Sequence, residues 1–508
     1  MFDLDDLFVR LPPAIVDRPI LLIGIGTLVY WLTLGYYKGQ SRKLAHIPTT
    51  ESALPLFSYL GALKYFWDAR NLINAGLQKW PKTVIKIPDL LQWIVVATEP
   101  ELIEEIRKAP ENVLSFVDAL EESIQIEYTL GGHVKTNPYH IPIIRAQLTR
   151  ALPQLVPEVH EEVVDAFNDF IPPTSDWTSF RALETFMNIV CRASNRIFVG
   201  RPLCRDPDFV ALNVQFTVDV VQTGALLRLL PSFLRPLVSK LISNVPKRIQ
   251  RGIKLLAPLL AARRKQREDN DEKPVDLLSW LMDEAKDEET TDWYLTSRIL
   301  TVNFAAIHTS SMTFTQAFYY LAAFPEYMKP LREEVEEVIR REGWTKEGTD
   351  QMYKIDSFIK ESQRLHPLGV LPMQRVAVND YTFSDGTTVP SGTTIAIALD
   401  NVHLNEKYYP NALTFDPWRF VKLKEQDATG KRFDIVTTGL DSLAFGYGRH
   451  ACPGRYFAAC ELKLMFAHAV MNYDVKLEDE GVRPKDMWVA SSCVPNPKAK
   501  VMFRKRVL

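Results

Sequence analysis

Residues 19–37 carry no charged side chain, and 20–26 runs on into 28–32 as an almost unbroken apolar stretch. A helix needs about 20 apolar residues to cross a bilayer, so one N-terminal transmembrane helix is predicted here. Tyr30, Trp31, Tyr36 and Tyr37 suit a lipid–water interface. Lys38, Arg42 and Lys43 behind them place the following domain on the cytoplasmic side by the positive-inside rule. A cleaved signal peptide fits less well, because the basic residues follow the apolar run and no small-x-small site comes after it. Residues 1–18 read as a short mixed tail, and 38–56, with Pro48 and Pro55, as a stiff hinge.

Beyond the hinge, runs rich in β-branched residues predict short strands at 83–87 and 93–97. Residues 101–107 are helical by period, and 112–138, with Gly131, Gly132 and Pro138, read as an irregular loop. Helices are predicted at 139–152, through 205–265 with proline interruptions, at 292–321, at 325–341 and at 458–470. The 292–321 run is the longest clean one and would span about 45 Å. Residues 370–400 alternate again around Asp385-Gly386 and Pro390-Ser391-Gly392 turns, which predicts a small sheet, and the tail adds short strands. The fold class is mainly α with small β-sheets. Segment 225–234 is unusually apolar for a connection; it reads either as a dip into the membrane of the anchor or as an ordinary buried helix end.

Composition changes little in this picture. The 508 residues are 46% apolar and 24% charged, and a net charge of −2 gives no reason to expect nucleic acid as a partner. The five cysteines, Cys191, Cys204, Cys452, Cys460 and Cys493, are scattered and form no CxxC pair. That argues against a disulfide framework or structural zinc and fits a reducing compartment.

Cys452 is the cysteine in unusual surroundings. It lies in Phe445-Gly446-Tyr447-Gly448-Arg449-His450-Ala451-Cys452-Pro453-Gly454, directly ahead of an apolar helix. Glycines let such a loop bend and let its backbone approach a flat partner. A thiol at a helix N-terminus is favoured as thiolate by the dipole and the free N–H groups, which is what an iron ligand needs. The competing reading is a small buried hydrophobe in a turn. Upstream, Glu361 and Arg364 stand three apart on a helix limited by Pro367, and Phe415-Asp416-Pro417-Trp418-Arg419-Phe420 follows. Ala305-Ala306-Ile307-His308-Thr309-Ser310 lies inside the long helix, where a threonine is most often bonded back to its own turn.

Together these stretches resemble the cytochrome P450 family. The loop is similar to F-x-x-G-x-R-x-C-x-G, with His450 where the family has arginine and Arg449 one place upstream. Glu361 and Arg364, followed by Leu365-His366-Pro367, match E-x-x-R, and Phe415, Pro417, Arg419 and Phe420 match F-x-P-x-R-F. The resemblance implies a cytochrome P450 fold over 57–508 and haem b held by the Cys452 thiolate, with Phe445 and Gly446 among the cofactor-binding residues of the loop. It implies a structural network of Glu361, Arg364 and Arg419 beneath that loop. Haem propionates would be met by Arg375, Arg145 and His140, and by either Arg449 or His450. The family's W-x-x-x-R is absent, Ile141 standing four residues before Arg145; fungal members of the ent-kaurene oxidase type have a similar H-x-x-x-x-R pattern, as His140 and Arg145 do here. In the long helix the family's [AG]-G-x-[DE]-T-[TS] is matched at Thr309, a catalytic proton-delivery residue there. His308 replaces the acid with a ring that can shuttle protons near neutral pH.

The activity implied is insertion of one oxygen atom from O2 into a C–H bond of a lipophilic substrate. A terpenoid of fungal secondary metabolism suits the His308-Thr309 and Arg145 contexts, and the anchor and the phenylalanines of the long helix point the same way. Electrons would come from a separate NADPH-cytochrome P450 reductase in the endoplasmic reticulum membrane, with Arg449, Arg455, Lys431 and Arg432 as a candidate docking face. Two alternatives stand: a haem-thiolate isomerase or dehydratase that does not use O2, and a non-catalytic membrane protein that binds haem or sterol.

Overall fold

The computed structural model describes residues 39–51, 55–89 and 92–507, with positions 26, 30 and 35 ahead of them. The expected tail at 1–18 lies outside the described residues. So does the anchor at 19–37, apart from Gly26, Tyr30 and Gly35, each in a helical position. The hinge is tied to the domain. Lys86 Nζ donates to the Leu44 carbonyl (2.5 Å), Trp93 Nε1 to Ser41 Oγ (2.7 Å) and the Trp93 N–H to Gln40 Oε1 (2.8 Å).

The longer α-helices are α1 (Pro55–Lys79), α2 (Pro100–Lys108), α3 (Phe116–Ile124), α4 (Thr149–Phe170), α5 (Ala182–Phe198), α6 (Pro207–Arg228), α7 (Arg235–Ile242), α8 (Val245–Glu268), α9 (Leu277–Glu284), α10 (Asp292–Ala323), α11 (Met328–Glu342), α12 (Tyr353–Leu365), α13 (Arg419–Gln426) and α14 (Arg455–Asn472). Helix α10 is buried on most faces. It packs on α5, α6, α8 and α14, and α4 closes the core behind α5. Phe314 and Phe318 meet Phe186 of α5 at 4.7 and 4.9 Å and Phe466 of α14 at 5.8 Å each. These two phenylalanines are core residues, because α5 and α14 cover the face they occupy. The expectation that they signal a lipophilic substrate is corrected accordingly.

Two element expectations also change. Residues 112–138 contain α3 and the turns Glu127–Gly131 and Gly132–Thr136. The Gly-Gly pair reads as loop, but Ile126, Leu130 and Val134 form a buried stripe at helical spacing. The helix expected at 139–152 runs on as α4 to Phe170 despite Pro153 and Pro157. An interior proline costs about 3 kcal/mol, whereas each buried aliphatic side chain contributes roughly 1.5–3 kcal/mol. Both prolines are exposed and Leu152, Leu155, Val156, Val159 and Val163 are buried, so packing wins.

The main sheet has the order β1-β2-β8-β5-β3, from Ile85–Pro88, Trp93–Ala97, Thr394–Ile397, Arg375–Ala377 and Leu114–Ser115, where β4 is Thr178–Arg181 and β6 and β7 are Tyr381–Thr382 and Thr388–Val389. Strand β8 is parallel to β2 and antiparallel to β5, which puts Arg375 on an interior strand opposite Ile395. Strands β9 (Tyr473–Leu477), β10 (Met487–Val489), β11 (Ser492–Val494) and β12 (Lys500–Lys505) form the smaller sheets of the tail with β4. All five cysteines are free. Among the described residues α6 alone is long and apolar enough to cross a membrane, and 56% of its apolar window is buried against the fold.

Candidate active site

Helix α12 presents Glu361 and Arg364 on one buried face. The Glu361 carboxylate accepts from Arg364 Nε and Nη2 (2.8 and 2.7 Å), from Arg419 Nε (2.9 Å) and from the Asp416 N–H (3.1 Å). Arg364 donates onward to the carbonyls of His403 (2.7 Å) and Ala412 (2.6 Å). Arg419 donates to those of Pro410 (2.5 Å), Asn411 (3.2 Å) and Thr414 (2.9 Å). One carboxylate and two guanidinia thus hold segment 403–414. His403 extends the network: its Nε2 accepts the Leu443 N–H at 3.1 Å, at the start of the Cys loop. Burial and the Arg364 charge lower its pKa to about 3, so it stays a neutral acceptor. No motif marks His403 in the sequence.

The Cys loop is shaped by Gly446 and Gly448, whose φ angles of +72° and +76° lie in the left-handed region. A Cβ at Gly448 would also lie 2.5 Å from Arg107 Cγ. The Cys452 N–H closes the loop on the Phe445 carbonyl at 2.8 Å. Cys452 lies at the start of α14, where the Gly454 and Arg455 backbone amides and the Arg455 guanidinium favour a thiolate. Burial pushes the thiol the other way and raises its pKa; a bound metal cation would reverse that balance. The other four cysteines are fully buried, with thiols pushed up by burial. Cys493 lies with His366 and Asp486 in a group of metal-ligand types. There, however, Asp486 already accepts from Arg483 (3.2 Å) and from His366 Nδ1 (2.6 Å), so the arginine supplies its cation.

Beside the loop, three segments bring basic groups together. Arg375 is buried, donates to the Gln374 carbonyl (2.7 Å) and sits over the Phe116 ring, with its pKa lowered to about 10 by burial. Arg145 Nη2 donates to the Arg449 carbonyl (3.1 Å), and Arg449 donates to the Ala109 carbonyl. None of the three makes an ion pair among the described residues. His450 lies at their centre, 3.2 Å from Glu111 Oε2 but out of line for a hydrogen bond, so its buried Nε2 is unpartnered. Burial and the Arg375, Arg449 and Arg145 charges lower its pKa to about 4, against the pull of Glu111. Three guanidinia facing one carboxylate leave an excess of positive charge suited to a dianionic group. His140 is not part of this cluster. Its Nδ1 accepts from Arg298 Nη1 (3.0 Å), a buried arginine paired with Glu289 (2.6 Å), and its pKa falls to about 3. Through Nδ1 His140 is thus tied to α10.

On α10, Ala305 and Thr309 are exposed, one turn apart, although most of the helix around them is buried. Thr309 Oγ1 donates to the Ala305 carbonyl at 2.7 Å, which leaves its lone pairs on that open face. His308 lies about 100° round the helix. Its Nε2–H donates to the Val214 carbonyl of α6 at 3.3 Å, and burial lowers its pKa. The two expected proton carriers are thus on different faces, and His308 braces α6.

A family model described as Cytochrome P450 matches residues 48–503. The chain belongs to the cytochrome P450 family. It is 42% identical to Cytochrome P450 monooxygenase 151 of Postia placenta, over 93% of this chain and 96% of that protein. It is 34% identical to Cytochrome P450 monooxygenase CYP512U6 of Ganoderma lucidum, over 91% and 92%. It is 30% identical to Ent-kaurene oxidase P450-4 of Gibberella fujikuroi, over 89% and 90%. P450 monooxygenases carry haem on a cysteine thiolate, need a redox partner and act on lipophilic molecules. The donor set fits that group in three respects: a thiol beside backbone amides that favour its anion, an unpartnered imidazole within a surplus of guanidinia, and an open α10 face bearing Thr309.

Proposed function

We propose that this P450 inserts one oxygen atom from O2 into a C–H bond of a terpenoid, with electrons from NADPH-cytochrome P450 reductase. The observation that carries the reading is the Cys452 thiol on the N-terminal amides of α14, next to the basic cluster. The Cys452 thiolate would hold the haem iron, and Arg375, Arg145 and Arg449 would receive the propionates, with the unpartnered Nε2 of neutral His450 beside them. Thr309 Oγ1 gives its own proton to the Ala305 carbonyl and so presents its lone pairs on the open face of α10, where it can accept a hydrogen bond and pass a proton on. When bound, the haem supplies O2 binding and O–O cleavage, with thiolate electron donation favouring the latter. The name of the Gibberella relative supports a terpenoid substrate. The test is incubation of membranes holding the enzyme, the reductase and NADPH with ent-kaurene and related terpenoids under ¹⁸O2. One labelled oxygen per product is expected. Unlabelled product, or product formed without O2, would favour the isomerase or dehydratase instead.

We infer an enzyme of the endoplasmic reticulum membrane, anchored by 19–37 with its domain on the cytoplasmic side; the uncharged run at 19–37 and the basic residues behind it support the reading. Exposed apolar side chains support a second contact with the same membrane: Leu60, Leu63 and Trp67 on α1, and Phe233, Leu237 and Leu241 in and before α7. Arg228, at the end of α6, pairs with Asp89 at 2.6 Å close to Tyr65 of α1, which brings the two groups to one side. After deletion of residues 1–40 the chain should still sediment with membranes, and Phe233→Asp with Leu237→Asp should release it. A deletion product that is fully soluble by itself would refute the second contact.

A further inference from the structure

Arg298 lies in the first half of α10 and is fully buried. Its Nε and Nη2 donate to the two carboxylate oxygens of Glu289 (3.2 and 2.6 Å). Nη2 also donates to the His133 carbonyl (3.0 Å), and Nη1 donates to His140 Nδ1 (3.0 Å). The guanidinium lies 4.6 Å from the centre of the Tyr139 ring. One side chain thus ties α10 to both ends of the stretch 133–140. Directly after that stretch comes Ile143–Leu148, a π-helical turn. Such turns are rare, interrupt the regular bond ladder and often occur at functional sites. Arg145 sits inside it, and its Nη2 donates to the Arg449 carbonyl of the Cys loop at 3.1 Å. Ile144 packs near the end of the same loop, where a Cβ on Gly454 would lie 3.7 Å from Ile144 Cγ2. The π turn therefore leans on the Cys loop, while His140 just ahead of it is fastened to α10.

We propose that Arg298 is a positioning residue for the basic cluster: by holding His140 it fixes the π turn that presents Arg145 to a haem propionate. The inference rests on the propionate role given to Arg145 above. Apolar contacts fill space but tolerate small rotations; hydrogen bonds are directional and do not. A wide turn has no regular ladder of its own to set its rotation, so a directional bond at its start decides where the Arg145 guanidinium points.

The chemistry of the tie follows from its two members. A guanidinium can only donate, so His140 Nδ1 is the acceptor and the proton of the neutral ring stands on Nε2. Burial and the Arg298 charge keep the ring neutral, with its pKa lowered to about 3. Glu289 balances the Arg298 charge, so the tie adds nothing to the positive surplus of Arg375, Arg145 and Arg449.

Two measurements on the haem-loaded full chain test this: the rate at which haem passes to excess apomyoglobin, and hydrogen–deuterium exchange of amides 143–148. Arg298→Met combined with Glu289→Leu removes the buried pair as a unit, which is far milder than stranding one partner. It should release haem about tenfold faster, as expected for one lost hydrogen bond to a charged group, and lose protection at 143–148. His140→Phe, which deletes only the acceptor, should do the same. His140→Asn is smaller but keeps an acceptor near the Nδ1 position, and should return most of the wild-type behaviour; a ring that merely filled space would not be rescued in this way. In an Arg145→Met background, His140→Phe should accelerate haem release no further, because the tie acts through Arg145. Wild-type haem release and protection in both the Arg298–Glu289 double variant and His140→Phe would overturn the proposal. So would a full, additive effect of His140→Phe on top of Arg145→Met. If Arg145→Met alone releases haem at the wild-type rate, the propionate role of Arg145 fails, while exchange at 143–148 still decides the tie.

Discussion

Replacing Cys452 by serine is expected to abolish the thiolate-type absorption band of the reduced, CO-treated protein and its monooxygenase activity, while leaving the apoprotein folded. The local geometry says why. The Gly454 and Arg455 backbone amides and the Arg455 guanidinium favour an anion there, on an atom that ionises readily. A serine hydroxyl does not ionise there at neutral pH, so the iron would lose its charged ligand. The loop closure itself is made by the Cys452 N–H on the Phe445 carbonyl and needs no side chain. Its cost to apoprotein stability should therefore stay near the ~1 kcal/mol typical of single substitutions. Cys460→Ser is the matched control. It buries a hydroxyl in the core at a cost of roughly 1–3 kcal/mol, yet should keep the band. Retention of the band in Cys452→Ser, or its absence from wild type, would remove the ligand assignment.

The proposed ligand stands out in the sequence because everything that suits it to the role is local: glycines for the turn, a thiol and the start of a helix within ten residues. Glu361 and Arg364 were legible for the same reason, and Arg419 through its own short motif. Residues whose roles depend on distant partners were not. His140 and Arg145 stand on one short helical stretch, but His140 is tied to Arg298, 158 residues away in sequence, and only Arg145 reaches the basic cluster. His308 and Thr309 are adjacent in sequence and face different elements, and a helix buried on nearly every side, polar residues included, gives the sequence no clue to its orientation. Phe314 and Phe318 were misread on the same account. His403 is a single polar residue in buried surroundings, and neither spacing nor composition marks it.

The largest loss of folding stability is expected from Glu361→Gln. The carboxylate is the counter-ion of two buried guanidinia, and its four accepted hydrogen bonds come from three different residues. Glutamine keeps the shape but removes the charge, leaving Arg364 and Arg419 buried without compensation. Breaking a buried pair in this way costs roughly 3–5 kcal/mol, a large part of the 5–15 kcal/mol that holds a typical domain together. The damage should not stay local. The same arginines hold the carbonyls of His403, Pro410, Asn411, Ala412 and Thr414, and His403 accepts from Leu443 at the start of the Cys loop. Loosening the network releases the segment on which that loop rests, so the variant should accumulate with little haem even if some of it folds. The ratio of Soret to protein absorbance, followed through denaturant titration, measures both effects together. Arg432→Ala, which removes an exposed pair with Asp434, should shift stability by less than about 1 kcal/mol and leave haem content unchanged. Equal haem content in Glu361→Gln and Arg432→Ala would mean that the network does not support the loop.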